Sequence, residues 1–342
     1  MKKNNNSLIG HYVTSFLTRY LPGQRNVSSN TISSYASTLY LFFIFCRDKK
    51  NIPAEIMSTD NINKELVISF LDWIEQERNS SISTRNQRLA AIRSFFKYLQ
   101  YENPQTMGLC QEILCIPSKK RTRPTINHLT HEELRAIFNQ PDLSTDKGKR
   151  SLAIMTLLYD TGARVSELIN LNVCDVRYDS PAVITLTGKG RKIRYVPIMD
   201  KTLHILESYM IAYKIDKAKS PTLPLFYNSR GERLTRAGIT NIIARHVSSA
   251  RNICPSLPNT VTPHVFRHTK AVHLTEIETP LIYIRDLLGH TSVITTEIYI
   301  RLNPERRKKY MEAAHVNYVD DTNNQDWSAN DEIISWLKQI CK

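Results

Sequence analysis

One stretch decides how this chain is organised: residues 287–299 read Leu-Leu-Gly-His-Thr-Ser-Val-Ile-Thr-Thr-Glu-Ile-Tyr. The pattern predicts that a helix beginning near Pro280 ends at Gly289, because glycine readily supplies the positive φ that a C-terminal cap needs. His290 follows this cap directly, and a second short helix is expected to carry Tyr299. The stretch therefore brings a helix end, a histidine and a tyrosine close together.

Two upstream stretches add cationic side chains. Residues 264–267 read His-Val-Phe-Arg, and residues 161–168 read Thr-Gly-Ala-Arg-Val-Ser-Glu-Leu. The planar guanidiniums of Arg164 and Arg267 can each meet two phosphate oxygens at once. Fixed cationic donors of this kind stabilise the negative charge that a phosphodiester gains under attack. Since the set lacks the carboxylates that a metal site needs, it predicts a site that holds and attacks a phosphate without a metal ion.

Several of these side chains have an expected role in such chemistry. Tyr299 is the expected nucleophile, since a phosphotyrosine linkage keeps the energy of the broken bond for rejoining. Lys189 lies in a Gly-Lys-Gly turn and is the expected general acid for a leaving 5′ oxygen, because the pKa of lysine falls readily in a cationic setting. Glu167, one turn after Arg164, is expected to orient that arginine. Each residue alone is more often structural, and the hypothesis rests on the ordered combination.

The composition restricts the partners and the compartment. The chain has 342 residues, 41% hydrophobic content and a net charge of +14. The length predicts two domains, and the charge favours a polyanionic partner, with nucleic acid ahead of an acidic membrane surface. The six cysteines form no Cys-x-x-Cys pair, which indicates reduced thiols rather than a zinc or redox motif. The longest apolar run, residues 39–46, is too short to span a bilayer, so we expect a soluble cytoplasmic protein without membrane contact.

Hydrophobic periodicity divides the chain into a helical part and a mixed part. Apolar residues at helical spacing predict four helices within residues 7–101, and alternation predicts strands near residues 182–186 and 193–198. We therefore expect mainly α structure with a small antiparallel β-sheet, in a helical N-terminal domain, a basic linker, a mixed α/β catalytic domain and a tail with one helix. The expected bounds are 1–115, 116–125, 126–319 and 320–342, in that order.

Local signals predict several helix ends. The pair Pro22-Gly23 is expected to end the first helix. Thr130 and Glu133 have the spacing of a capping box before an apolar helix. The segment 278–280, Glu-Thr-Pro, is expected to place Pro280 at the first helical position of the helix that ends at Gly289.

Basic side chains indicate where a phosphate backbone is contacted. One flank of the fourth predicted helix is rich in arginine and lysine, and so is the linker. Both groups are candidates for neutralising DNA phosphates, with a solvated face and a plain hinge as the alternatives. The candidate DNA-binding residues are Arg85, Arg88, Arg93, Lys97, Lys119, Lys120, Arg121 and Arg123.

These motifs resemble those of the tyrosine recombinases, also called phage-integrase-type site-specific recombinases. The matching segments are 161–168 for the first arginine box, 187–197 for the hairpin lysine, 264–269 for the second box with Phe266 where leucine is usual, 287–290 for the third box, and Tyr299 for the nucleophile. Residues 7–101 also resemble the family's helical core-binding domain. The resemblance implies catalytic roles for Arg164, Lys189, His264, Arg267, His290 and Tyr299.

The resemblance also implies an activity and its partners. It implies a recombinase that cuts and rejoins double-stranded DNA through a 3′-phosphotyrosine intermediate, at inverted-repeat sites, without a cofactor or metal. A homotetramer is expected on the DNA, with a related recombinase as a possible partner. Integration or transposition of a mobile element is the favoured role. The alternatives are type IB topoisomerase-like nicking and resealing, or a DNA-binding module without catalysis, and the DNA product distinguishes the three.

The end of the chain predicts one more helix. Residues 330–340 place Ile333, Trp336, Leu337 and Ile340 at i, i+3, i+4 and i+7, which forms one apolar stripe. A helix this short is marginal alone in water, so the stripe must be buried against protein. Its own catalytic domain and a neighbouring protomer are both possible sites, and the family resemblance favours the neighbouring protomer.

Overall fold

The computed structural model of the chain describes residues 9–120, 127–188, 190, 192–216, 221–290, 292–293, 296, 299, 336–337 and 339–340. The structure is mainly helical and contains a three-stranded antiparallel sheet, which confirms the predicted fold class. The chain divides into two compact units, Met1–Pro124 and Thr125–Lys342. Among the described helices, none combines the length and the apolar character that crossing a membrane requires.

The main elements in the described part of the first unit are helical. Its elements are α1 (Ile9–Ser15), a π-helical segment (Phe16–Gln24), α2 (Ser29–Lys50), α3 (Lys64–Gln76), α4 (Ile82–Glu102) and α5 (Met107–Leu114), with 3-10 turns at Thr59–Asn61 and Pro104–Thr106. The side chains of Ser28, Asn63 and Ser81 accept hydrogen bonds from the first turns of α2, α3 and α4. These caps fix the helix starts because they satisfy amide donors that have no intrahelical partner.

The expectation that Pro22-Gly23 ends the first helix is wrong. Helical turns continue through Pro22 to Gln24 in the π form. A proline inside an α-helix removes one hydrogen bond and clashes with the carbonyl four residues earlier. Here the amide of Arg25 donates to the carbonyl of Tyr20 at 3.0 Å, across five residues, so the wider turn accommodates the proline ring.

An aromatic core holds the first unit together. Phe16 and Phe95 meet edge to face with ring centroids 5.4 Å apart, and Phe42 and Phe70 do so at 5.2 Å. All four side chains are buried. Ile116, which was expected to lie in the linker, is 2% exposed and belongs to the same core. The packing of the first unit therefore continues into the segment that the sequence predicted as linker.

The second unit surrounds one apolar helix. Its helices are α6 (His131–Phe138), α7 (Asp146–Thr161), α8 (Val165–Asn170), α9 (Asp200–Ala212), α10 (Arg236–Ala250), α11 (Pro263–Glu276) and α12 (Leu281–Leu288), with a 3-10 turn at Val173–Asp175. Helix α7 buries nine residues and packs against α9 and α11. The predicted capping box forms at α6, where Thr130 and Glu133 exchange backbone-to-side-chain hydrogen bonds of 2.9 and 3.2 Å.

The sheet is a hairpin extended by one short strand. Strands β1 (Val176–Arg177), β2 (Val183–Thr187) and β3 (Ile193–Pro197) pair in that order, all antiparallel. The amide of Gly188 donates to the carbonyl of Lys192 at 2.8 Å and closes the hairpin next to β3. Both predicted strands are present within one residue of their expected bounds. This hairpin leads from the sheet toward the ends of α8 and α12.

The helix before residue 289 starts one residue later than expected. Pro280 is the N-cap of α12 rather than its first helical residue, which corrects the sequence prediction. Glu278 has a φ of 60°, so the turn that precedes the cap uses the left-handed region without a glycine. At the other end Gly289 has a φ of 62°, as the sequence predicted.

Candidate active site

Arg164 is positioned by the turn between two helices. Gly162 ends α7 with a φ of 57°, and Arg164 is the N-cap of α8. A side chain at residue 162 would also meet Leu288 at 2.7 Å, so this position requires glycine for two reasons. The guanidinium of Arg164 donates to the carboxylate of Glu167 at 2.8 Å and to the carbonyl of Gly289 at 3.3 Å. The arginine thus lies between its own helix and the end of α12.

Glu167 is a buried carboxylate that binds two arginines. Its side chain is 2% exposed. Its oxygens accept from the amide of Arg164 at 2.8 Å, from the Arg164 guanidinium, and from Nη1 and Nη2 of Arg194 at 3.0 and 2.7 Å. Burial alone would raise the pKa of Glu167, but the hydrogen bonds from Arg194 and Arg164 outweigh it and hold the pKa below its ordinary value. The carboxylate is therefore ionised and orients both guanidiniums.

Arg194 was not singled out from the sequence. It lies on β3, and its Nε donates to the carbonyl of Leu287 at 2.9 Å while its terminal nitrogens bind Glu167. A side chain at Gly289 would approach the Arg194 guanidinium to 3.0 Å. One signal was available, because Arg194 is two residues before the buried Val196 and so lies on the inward face of the strand. Arg194 ties the lysine hairpin to the end of α12.

Arg267 is almost completely buried. It is 1% exposed, and its Nη1 and Nη2 donate to the carbonyls of Gly162 and Leu288, both at 2.6 Å. These carbonyls lie at the C-terminal ends of α7 and α12, where the helix dipole favours a cation. Burial and the charge of Arg164 lower the pKa of Arg267 to about 10, so the guanidinium is still protonated at neutral pH. The two helix ends fix this arginine in one orientation.

Tyr299 is buried beside these cations. Its side chain is 1% exposed, and its hydroxyl lies 2.8 Å from Nδ1 of His268. Burial raises the pKa of the phenol, and the charges of Arg267 and Arg164 oppose this rise. At neutral pH the phenol is therefore protonated, and its proton must be removed before the oxygen becomes a strong nucleophile.

The two histidines of the predicted set differ in exposure. The ring of His290 lies nearly parallel to that of Tyr299 with centroids 6.4 Å apart, and its Nδ1 is 3.0 Å from the Thr296 hydroxyl. Burial, Arg267 and Arg164 lower the pKa of His290 to about 4. His264 is exposed, and desolvation, Arg267 and Arg164 also lower its pKa. His290 is neutral near pH 7 and, if Thr296 donates to Nδ1, presents Nε2–H as a donor.

The structure brings five of the six predicted catalytic residues together. The cluster is formed by side chains from α11, from the end of α12, from the turn before α8 and from the helical position of Tyr299. Lys189 lies outside the described residues, while Gly188 and Lys192, on either side of it in the sequence, form the base of the hairpin. The clustered residues are Arg164, His264, Arg267, His290 and Tyr299.

A second group of titratable side chains lies apart from this cluster. His131, His273 and Glu276 place one potential ligand atom each within 4.8 Å of one another. Both ring nitrogens of His273 are already engaged, Nε2 with the carbonyl of Leu129 at 3.0 Å and Nδ1 with the hydroxyl of Tyr159 at 2.9 Å. The rings of His131 and His273 stack 3.8 Å apart, so their lone pairs do not converge on one point. This arrangement fits packing better than metal binding.

Three arginines predicted to face DNA have contacts within the first unit. Arg85 is 4% exposed and pairs with Glu75 at 3.4 Å, which corrects the expectation that it faces a phosphate. Arg88 donates to the hydroxyl of Thr38 at 2.9 Å and so joins α4 to α2. Arg93 donates to the carbonyl of Ile116. Arg85 lies four residues before the buried Leu89, so helical periodicity explains why it points inward.

The other basic candidates are exposed or lie outside the described residues. Lys97 and Lys120 are exposed. Lys119 is exposed but pairs with Glu75 at 2.8 Å, and its backbone forms two hydrogen bonds with the side chain of Asn86. The start of the basic segment is therefore attached to α4. Arg121 and Arg123 lie outside the described residues.

Comparison with known families matches both units. The family model of the phage integrase family matches residues 127–306, and the phage integrase N-terminal SAM-like domain matches residues 14–103. The integrase/recombinase y4rD of Sinorhizobium fredii is 35% identical over 76% of this chain and 93% of its own length. The tyrosine recombinase XerC of Syntrophus aciditrophicus is 31% identical over 87% of this chain and 95% of its own.

Solved structures share the fold. The site-specific recombinase XerH, bound to a palindromic difH substrate after cleavage, superposes with a TM-score of 0.68 and 23% identity, covering 88% of this chain and 84% of XerH. The Tn1549 transposon integrase, bound to transposon right end DNA, superposes with a TM-score of 0.68 and 16% identity, covering 88% of this chain and 98% of the integrase chain. At these identities the likeness concerns the fold alone.

Proposed function

This chain belongs to the phage integrase family of tyrosine recombinases, and we propose that Tyr299 is the nucleophile of its reaction. The protein is a DNA breaking-rejoining enzyme that acts as a site-specific recombinase. One observation carries the assignment of Tyr299. Its buried hydroxyl lies where the charges of Arg164 and Arg267 both act on it, next to the helix end that carries His290.

The proposed reaction proceeds by direct attack on phosphorus. The Tyr299 oxygen forms a bond to phosphorus, the bond to the 5′ oxygen breaks, and a 3′-phosphotyrosine linkage results. Arg164 and Arg267 stabilise the charge that grows on the non-bridging oxygens, where fixed donors act most strongly. Lys189 protonates the leaving 5′ oxygen. Attack by a 5′ hydroxyl from another strand reverses these steps and joins the new partner.

The neutral histidines suit a different task from the arginines. An imidazole with a pKa near 4 adds no charge to the site but still donates one hydrogen bond. His290, with Nδ1 occupied by Thr296, directs Nε2–H to a non-bridging phosphate oxygen. His264 is exposed on α11 and is available to the substrate phosphate.

A nicked suicide substrate tests the nucleophile. A strand cut close to the cleavage site releases a short fragment that diffuses away, so the covalent protein–DNA adduct accumulates and is visible on a denaturing gel. The wild-type protein is expected to form the adduct in the presence of EDTA, and Tyr299→Phe is expected to form none. Tyr283→Phe is the matched control, because Tyr283 lies on α12 with 66% of its surface exposed. An adduct with Tyr299→Phe, or none with wild type in EDTA, overturns the assignment.

The proposed partners follow from this chemistry. We propose double-stranded DNA with inverted-repeat sites, bound by a homotetramer, with a related recombinase as a possible second subunit. The integrase/recombinase named among the relatives supports integration or transposition of a mobile element as the role. Residues 1–115 and the basic segment 116–125 are proposed to bind the DNA, and residues 126–319 to cleave it.

The tail, residues 320–342, is proposed to dock on a neighbouring protomer. Trp336, Leu337 and Ile340 are helical and expose 54%, 48% and 62% of their surfaces, so their apolar faces are free to meet a partner. Deleting residues 326–342 is expected to preserve binding to a single site and to weaken the complex that holds two sites. Full recombination by the truncated protein would exclude the docking role.

A further inference from the structure

The histidine that follows Arg267 has no role in the scheme above, yet it touches the reacting atom. Nδ1 of His268 lies 2.8 Å from the hydroxyl oxygen of Tyr299, with ring centroids 5.6 Å apart. Within the described part of the chain this nitrogen is the hydrogen-bond partner of that hydroxyl. We propose that His268 is the general base that removes the phenolic proton of Tyr299 during attack, an inference that rests on the proposed role of Tyr299 as nucleophile.

The direction of this hydrogen bond follows from the charges around His268. Burial comes first, and the neighbouring His264, Arg267 and His290 act with it to lower the pKa of His268 to about 4. The ring is therefore neutral at pH 7. The phenol is also protonated, because burial raises its pKa. A protonated phenol donates and the free imidazole nitrogen accepts, so Nδ1 carries the lone pair and Nε2 carries the proton.

The other two histidines of the site are placed for different contacts. Nδ1 of His290 faces the Thr296 hydroxyl at 3.0 Å, and its ring lies nearly parallel to that of Tyr299. The Tyr299 hydroxyl makes its hydrogen bond with His268, whereas the Nδ1 atom of His290 is engaged by Thr296. The ring of His264 meets that of His268 edge to face at 4.3 Å. A base must lie within hydrogen-bond reach of the proton that it removes, and His268 satisfies this requirement.

The proton transfer balances with the rest of the reaction. The O–H bond of Tyr299 breaks as the oxygen–phosphorus bond forms, and the proton moves to Nδ1 to give an imidazolium. The bond to the 5′ oxygen breaks, and that oxygen takes a separate proton from Lys189, the general acid proposed above. When a 5′ hydroxyl attacks the phosphotyrosine, its proton goes to Lys189 and the imidazolium returns its proton to the departing phenol oxygen.

Bound DNA strengthens His268 as a base. Without DNA, burial and the neighbouring His264, Arg267 and His290 oppose a positive charge on His268, which keeps the ring neutral and ready to accept a proton. A phosphate held by the two arginines adds negative charge beside the ring and raises the pKa of His268 toward its ordinary value. The proton acceptor therefore becomes effective when the substrate is in place.

Two substitutions separate proton transfer from positioning. His268→Asn keeps an acceptor oxygen close to the position of Nδ1 but cannot take a proton at neutral pH, and His268→Ala removes both functions. The substrate is a nicked suicide DNA with sulfur in place of the bridging 5′ oxygen, because a thiolate leaves without a general acid. His204→Asn is the control, since His204 lies on α9 with 76% of its side chain exposed. Adduct formation is measured with saturating protein, after thermal unfolding and site binding of each variant are checked.

Loss of a general base predicts both a rate and a pH dependence. Both His268 variants are expected to form the adduct about 10²- to 10⁴-fold more slowly than wild type. The wild-type rate is expected to level off above the pKa of His268, whereas the variant rates should rise about tenfold per pH unit until the phenol ionises by itself. His204→Asn is expected to match wild type in both respects.

Two results with the His268 variants would overturn the proposal. His268→Asn with the wild-type rate and pH dependence overturns the proposal, because a hydrogen bond alone would then be enough. Faster adduct formation by His268→Ala also overturns it, since the contact would then restrain Tyr299 rather than activate it. If His268→Ala does not fold, the comparison rests on His268→Asn, which preserves the shape. An adduct formed by Tyr299→Phe would refute the proposed nucleophile instead, and it is scored separately.

Discussion

Replacing Arg194 with methionine tests whether one buried carboxylate holds the site together. Methionine keeps the apolar stem of the side chain but removes its charge and its donors. Glu167 would lose two hydrogen bonds of 3.0 and 2.7 Å, and the carbonyl of Leu287 would lose its donor. The carboxylate would keep its contacts with Arg164 alone. We expect lower stability and slower DNA cleavage together.

The size of the effect follows from the burial of the pair. The side chains of Glu167 and Arg194 are 2% and 12% exposed. Removing one partner of a buried ion pair costs about 3–5 kcal/mol, because the remaining charge stays desolvated. For a unit of this size each kcal/mol lowers the melting temperature by about 2–4 °C. The variant should therefore unfold roughly 6–20 °C below wild type.

The loss of stability in Arg194→Met should also depend on pH. In the wild type the pKa of Glu167 lies below its ordinary value, so this group contributes stability above its unfolded pKa and loses the contribution as pH falls through its folded pKa. Without Arg194, burial raises the pKa, and the variant carboxyl is neutralised by protonation at a higher pH. The difference between the two proteins is therefore largest near pH 7 and shrinks as the pH falls through the raised carboxyl pKa of the variant and then through the lowered pKa of the wild type.

Calorimetry of the full chain measures these shifts and resolves units that unfold separately. Arg177→Met is the matched control, because Arg177 lies on β1 of the same sheet but is exposed, and its loss should stay within about 0.5 kcal/mol. Adduct formation on suicide DNA gives the functional readout. Unfolding of Arg194→Met at the wild-type temperature would refute the argument that Glu167 needs both arginines.

Three further outcomes are expected. Arg267→Ala should bind site DNA almost normally and cleave it about 10²- to 10³-fold more slowly in single-turnover assays; a cleavage loss that only follows the binding loss would contradict a transition-state role. Replacing the four basic residues at 119, 120, 121 and 123 with serine should reduce the slope of log K against log salt by about 0.9 for each phosphate contact removed, and an unchanged slope would leave the segment as a hinge. Stability should fall as pH drops from 6.5 toward 4, by up to about 1.4 kcal/mol per pH unit for His273, because burial and His131 lower its pKa to about 4 and the unfolded chain then binds more protons. Melting temperatures of wild type and His273→Asn across this range check the slope, and a wild-type slope no steeper than that of the variant would contradict it.

Local patterns predicted most helix ends, because caps depend on neighbouring residues. Gly289, the capping box at Thr130 and the strands of the hairpin all follow from short-range chemistry. Pro22 did not end its helix, because the hydrogen bond from the Arg25 amide to the Tyr20 carbonyl widens the turn around the proline ring. The local sequence does not distinguish such a π turn from a helix end. Arg85 was misassigned although its spacing from Leu89 places it on the buried stripe.

The parts of the site that were missed depend on contacts between distant residues. Arg194 meets Glu167 across 27 positions of sequence, and His268 meets Tyr299 across 31. A motif reveals which side chains are present in order, but not which nitrogen faces which oxygen. Alternation along β3 was the one available signal for Arg194, since it predicts an inward charge next to the lysine turn. For His268 the residue type was visible, while its partner required the fold.

In the proposed site the arginines supply the positive charge, and the histidines accept protons or donate hydrogen bonds. Two arginines fixed by helix-end carbonyls and by Glu167 keep a permanent positive field. Burial comes first in lowering the pKa of both His268 and His290 to about 4, and the charge of Arg267 acts with it on both rings, so neither ring adds a positive charge to the site. A neutral ring is free to accept a proton from Tyr299 or to donate a hydrogen bond. Because burial is the largest cause, His268 is expected to stay neutral at pH 7 even when Arg267 is replaced, so loss of that arginine removes charge from the site without removing the proton acceptor.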